Sequence, residues 1–146
     1  MSDDILTKDN VVASGEATTR DEAIAEAGRM LVQAGAVTDA YVDAMRDREK
    51  TVSTYMGNFL AIPHGTNEAK DEISRSMLSF VRYTNPIDWD GDEVRFVVGI
   101  AGVGNEHLEI LSKIAIVFSE EESVQQLIDA PDADALYALL EEVNEE

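Results

Sequence analysis

The sequence predicts an α/β fold: a single-domain sandwich over residues 1–146 in which one mixed β-sheet is flanked by helices. Three observations predict it. Segments of helical and strand character alternate irregularly along the chain. Val94 to Ala101 is almost continuously apolar, as a central strand covered on both faces requires. The 146 residues, 45% of them apolar, suffice for one core, and no linker, internal repeat or low-complexity stretch divides them.

Taken in order, Val11, Val12 and Ala13 form a short opening strand with a turn near Gly15. Thr19 followed by Glu22 spells a capping box; Ala23, Ile24, Ala27, Met30, Leu31 and Ala34 then recur at helical spacing until Gly35 ends the helix. Thr38 caps a second helix running to about Lys50, with Tyr41, Ala44 and Met45 on its buried face. Phe59 to Ile62 is a brief apolar run that ends in Pro63-His64-Gly65. Met77 to Tyr83 reads as a strand, and Asn85-Pro86 and Asp90-Gly91 as turns. After the central strand, Gly102 and Gly104 loosen the chain before a helix opening near Asn105, striped by Ile110, Leu111, Ile114, Ala115 and Phe118. Two short helices follow, near 121–129 and 132–143, separated by Pro131.

Thirty Asp and Glu against eleven Lys and Arg give a net charge of −19, which makes nucleic acid and anionic membrane surfaces poor partners. With no cysteine there is no disulfide framework, thiol catalysis or Cys-based zinc site. The most apolar stretch, Phe96 to Gly104, is about half the length of a membrane-spanning helix, so no membrane insertion is expected. The opening Met-Ser-Asp-Asp has neither the basic nor the apolar region of a secretion signal, and a cytoplasmic location is expected. The acids intensify toward the end but are interleaved with Leu127, Ile128, Leu136, Leu139 and Leu140, which predicts helices with charged solvent faces and not a disordered tail. The scarcity of lysine fits either adaptation to high salt or an ordinary acidic protein.

Chemistry has few places to sit. His64 lies between a proline that fixes φ and a glycine that leaves room for close approach, a stiff and uncluttered corner; alternatively it merely tops a strand. His107 falls on the inward edge of the first turn of its helix, where unpaired N–H groups favour an anion and disfavour imidazolium; alternatively it is half-buried and donates to a backbone carbonyl. Arg48 continues the stripe of Tyr41, Ala44 and Met45, so it either meets an anion or pairs with a nearby acid, while Arg46 points elsewhere. Metal ligation is disfavoured, because neither histidine has a partner at helical His-Glu spacing and an inward arginine opposes a cation. No Gly-Lys-Ser/Thr phosphate loop is present, and no cofactor is expected.

From Glu49 through Ile73 the sequence reads EKTVSTYMGNFLAIPHGTNEAKDEI, which resembles the mannitol/fructose-type enzyme IIA of the sugar phosphotransferase system around its phosphorylated histidine. Glu49, Met56, Gly57, Leu60, Ala61, Ile62, Pro63, His64 and Gly65 fill every slot of that family pattern. GIAGVGNEHLEILSKIA resembles the second histidine region, with His107, and RDREK resembles the stretch holding the active-site arginine, Arg48. The HGTNEAKDEI continuation is nearest the mannitol type; the scarce lysines depart from the family and bear on the docking face. The resemblance implies a phosphoryl carrier: His64 accepts from the phosphorylated histidine phosphocarrier protein and passes the group to a cysteine of enzyme IIB during mannitol or fructose uptake. It implies Nε2 as the attacking atom, Arg48 as charge neutraliser and His107 as hydrogen-bond donor. The alternative is a regulatory, nitrogen-type relative that acts through phosphorylation-dependent protein binding.

Overall fold

Backbone hydrogen bonding organises the chain around one five-stranded sheet, and the computed structural model describes residues 5–104 and 106–144. The strands are β1 (Val11–Val12), β2 (Tyr55–Gly57), β3 (Leu60–Ala61), β4 (Met77–Trp89) and β5 (Asp92–Ala101), in the order β1-β4-β5-β3-β2. β1 pairs parallel with β4 and β3 parallel with β5, whereas β4–β5 and β2–β3 are antiparallel hairpins, so the sheet is mixed. The helices are α1 (Arg20–Gln33), α2 (Asp39–Thr51), α3 (Glu106–Val117), α4 (Glu121–Asp129) and α5 (Ala133–Leu140).

Strand alternation sorts the core into two layers. Leu78, Phe80, Phe96, Val98 and Ile100 face Ile110, Ile114, Leu127, Leu136 and Leu140 of α3, α4 and α5. Met77, Val81, Val97 and Ala101 face Ala23, Ile24, Ala27, Leu31, Tyr41 and Met45 of α1 and α2. Val94 to Ala101 is fully buried apart from Arg95, as its apolar run predicts.

The helix starts use the expected residues, with one variation. The Thr19 hydroxyl accepts from Glu22 N–H at 3.2 Å, while the Glu22 carboxylate reaches back to Thr18 N–H at 3.0 Å. Thr38 stands at the N-cap of α2, but its hydroxyl is drawn away to the Glu72 carboxylate. Asn105, the expected cap of α3, lies outside the described residues.

Three local readings change. Asn85-Pro86 is not a turn: β4 runs on to Trp89, with four residues, Tyr83 to Pro86, set against Arg95 alone. Proline cannot give an N–H to the ladder, so the strand bulges there and resumes pairing at Ile87, which buries Ile87 and Trp89. The true turn is Asp90-Gly91, whose φ angles of 57° and 100° suit a two-residue hairpin. Strand β2 adds an edge that no periodicity announced; α5 stops at Leu140, and residues 141–144 continue as a 3-10 turn.

Candidate active site

β3 leads directly into the corner that carries His64. Ile62 N–H donates to the Thr54 carbonyl at 3.1 Å, but Pro63 has no N–H and the pairing cannot continue. The Pro63 carbonyl still accepts from Ile100 N–H at 3.1 Å, and His64 forms an isolated parallel bridge to Ile100 near the end of β5. The imidazole is held by its own chain, with Nδ1 2.9 Å from the Ile62 carbonyl. A carbonyl only accepts, so Nδ1 carries the proton and the neutral ring keeps its lone pair on Nε2. Burial lowers the His64 pKa, against the Ile62 hydrogen bond that raises it, and the charge of Arg48 lowers it further. At neutral pH the ring is uncharged.

His107 is the second residue of α3, and its ring centroid lies 4.9 Å from that of His64 at a tilt of 57°. Gly102 permits this approach: a Cβ there would sit 2.5 Å from the His107 Cα. Burial, then the neighbouring His64, lowers the His107 pKa. Among the described residues its ring has no hydrogen-bond partner, so the backbone-carbonyl alternative does not describe it. Arg48 is half-buried near the end of α2 and spends one guanidinium N–H on the Val52 carbonyl at 2.7 Å. The rest of the fork is uncommitted among the described residues.

The three side chains predicted from sequence meet in one open cleft of about 650 Å³, lined also by Tyr41, Thr66 and Lys70. Its charge is kept in reserve. Arg20, Arg46 and Arg95 each pair with a carboxylate, whereas Arg48 and Lys70 have no ion pair among the described residues. Glu49, next to Arg48, is 3% exposed and is fully engaged: it accepts from Thr54 N–H at 2.7 Å, Thr54 Oγ1 at 2.6 Å and Trp89 Nε1 at 2.9 Å. A buried carboxylate so satisfied stays in place without an ion pair to the arginine beside it, although its charge is felt at His64, whose pKa it raises against the effect of Arg48. Arg46, read as surface, is tied to Asp43 at 2.5 Å.

Sequence reasoning placed Tyr41 only in the core and passed over Lys70. A tyrosine in an apolar stripe carries a hydroxyl that must find a partner, which was the available signal. The cleft thus offers an unprotonated imidazole nitrogen, a second imidazole, a guanidinium and an ammonium, a set matched to a compact, multiply charged oxyanion. Among the described residues no group of three or more His, Asp or Glu side chains is arranged to hold a metal ion, and no helix is long and apolar enough to cross a membrane.

The family model described as the phosphoenolpyruvate-dependent sugar phosphotransferase system, EIIA 2, matches residues 4–143. A mannitol-specific phosphotransferase enzyme IIA component of Halalkalibacterium halodurans is 52% identical over 145 residues, which cover 99% of this chain and 100% of that protein. The crystal structure of IIA mannitol from Escherichia coli is similar with a TM-score of 0.85 and 35% identity, over 92% of this chain and 97% of that one. The same TM-score of 0.85 and 35% identity relate it to the Escherichia coli complex of enzyme IIA-mannitol with phosphorylated enzyme IIB-mannitol, over 90% of this chain and 94% of that one. Matched along nearly its whole length, and close in both sequence and fold to such relatives, the chain belongs to the EIIA 2 family of the phosphoenolpyruvate-dependent sugar phosphotransferase system and is one of its phosphoryl carriers.

Proposed function

We propose that His64 Nε2 is the atom that carries the phosphoryl group, with Arg48 and His107 as the residues that stabilise it in transfer. The observation that carries this reading is the Nδ1 contact to the Ile62 carbonyl, which leaves Nε2 as the nucleophilic nitrogen in a cleft shared with a guanidinium and a second imidazole. In the accepting step the Nε2 lone pair attacks phosphorus in line, a P–N bond forms, and the P–N bond to the donor's histidine breaks as that imidazole leaves. Arg48 neutralises charge on the equatorial oxygens and His107 donates a hydrogen bond to one of them. In the onward step a thiolate attacks the same phosphorus from the side opposite Nε2, an S–P bond forms, the P–Nε2 bond breaks, and His64, still carrying its Nδ1 proton, departs as a neutral imidazole.

The donor is the phosphorylated histidine phosphocarrier protein and the acceptor a cysteine of enzyme IIB, both met in the cytoplasm. A relative solved as a complex with phosphorylated enzyme IIB supports the acceptor, and the mannitol-specific name of the Halalkalibacterium halodurans relative favours mannitol over fructose and transport over regulation. Incubation with phosphoenolpyruvate, enzyme I and the phosphocarrier protein tests the reading. Label should map to His64 and vanish in His64→Ala, and Arg48→Ala should slow transfer roughly 10³-fold. Label that persists in His64→Ala removes the central residue. Transfer to purified mannitol-type and fructose-type enzymes IIB then separates the two sugars.

A further inference from the structure

We propose that Tyr41 is a positioning residue for the relay: its hydroxyl clamps the chain just after His64 and fixes that corner relative to Arg48. This rests on the reading of His64 as the phosphoryl-carrying residue.

The clamp is built from two hydrogen bonds. The Tyr41 hydroxyl donates to the Ile100 carbonyl at 2.8 Å and accepts from Gly65 N–H at 2.9 Å. Ile100 N–H in turn donates to the Pro63 carbonyl at 3.1 Å. The residues on both sides of His64 are therefore tied to one residue of β5, directly through Pro63 and by way of the tyrosine through Gly65. Tyr41 is 2% exposed, and burial raises its pKa, so the hydroxyl stays protonated and can donate and accept at once. Its ring lies flush against Gly65, where a Cβ would collide with it; the glycine of Pro63-His64-Gly65 is needed for the tyrosine and not only for an incoming group.

Seven residues, two helical turns, separate Tyr41 from Arg48, so both lie on the same face of α2 and both line the cleft. No other side chain of α2 hydrogen-bonds the 62–66 segment among the described residues. Without the hydroxyl, Gly65 N–H and the Ile100 carbonyl lose the group that links them, and the histidine corner can shift against the arginine. Phosphoryl transfer is sensitive to such shifts, since small misplacements of reacting groups cost large factors in rate.

The test is Tyr41→Phe, which keeps the ring and removes the hydroxyl. The kcat for phosphorylation by the phosphorylated phosphocarrier should fall about tenfold with KM for that protein within twofold. Nitrogen-15 NMR of the unphosphorylated proteins should show His64 fixed in the Nδ1–H tautomer in the wild type and in a mixture of tautomers in the variant. A hydroxyl that serves stability alone lowers the melting temperature and leaves these untouched; a kcat or a His64 tautomer unchanged from wild type overturns the proposal. Should the variant not fold by circular dichroism, exchange of Gly65 N–H in the wild type decides: a protected amide supports the clamp, and one exchanging as fast as an open loop overturns it. Absence of label at His64 in the wild type overturns the underlying reading instead, whereas the tautomer comparison needs no phosphate.

Discussion

Two ordinary constraints coincide on the His64 ring: its own backbone accepts a hydrogen bond from Nδ1–H, and burial lowers its pKa and so favours the uncharged form. The same burial makes a prediction about stability. His64 and His107 both have pKa values lowered from 6.5 in the folded protein, chiefly by desolvation. Between those values and 6.5 the unfolded chain binds more protons than the folded one, so stability rises with pH there. It is fully present above 6.5, is lost as pH falls through that value, and levels off below the folded pKa values. Melting followed from pH 7.5 to about 5, above the usual carboxylate range, should show a decline that is shallower in His64→Gln; an equal slope in both proteins would contradict it. At this scale the sequence was informative where residue types are rare. With two histidines and a Pro-His-Gly corner, the residue proposed as nucleophile and the histidine that the fold brings beside it stood out. Tyr41 and Lys70 did not, because one is ordinary in an apolar stripe and the other is one charge among many until the fold brings it to the cleft.

Elements deliver these residues, and their junctions matter more than their lengths. The passage from β5 into α3 leaves no room for a side chain at Gly102: it lies against the backbone of His107, and no flexible side chain tip is there to yield. Gly102→Ala should therefore push the first turn of α3 outward, lower stability by about 1–3 kcal/mol and, because His107 moves with that turn, slow onward transfer. Thermal melting and transfer to enzyme IIB check this; a variant with unaltered melting and rates would show that the junction has slack. The helices were legible because caps and apolar stripes are local signals, as at Thr19 and Glu22. The sheet was less so. Asn85-Pro86 has turn chemistry, yet the buried side chains of Ile87 and Trp89 keep β4 going past it as a bulge. β2 is three residues long, and its pairing with β3 depends on the turn at Asn58 and Phe59, both with positive φ, a conformation rare for a phenylalanine.

Across the whole molecule, the mixed sandwich was predictable as a class, but the order β1-β4-β5-β3-β2 was not, since β1–β4 and β3–β5 are parallel pairs between segments distant in sequence. Charge is the other global feature. A surplus of nineteen negative charges repels itself over the surface, while the cations lining the cleft stay unpaired among the described residues. Salt shortens the Debye length to about 3 Å at 1 M, so the melting temperature should rise between low salt and molar KCl; a flat or falling profile would mean the acids are already accommodated. The central claim, that a neutral His64 presents Nε2 to phosphorus, is tested most directly by NMR of the phosphorylated protein carrying nitrogen-15 histidine. The account predicts a single phosphorus–nitrogen coupling, to Nε2 of His64. Coupling to Nδ1 of that ring, or to His107, would contradict it.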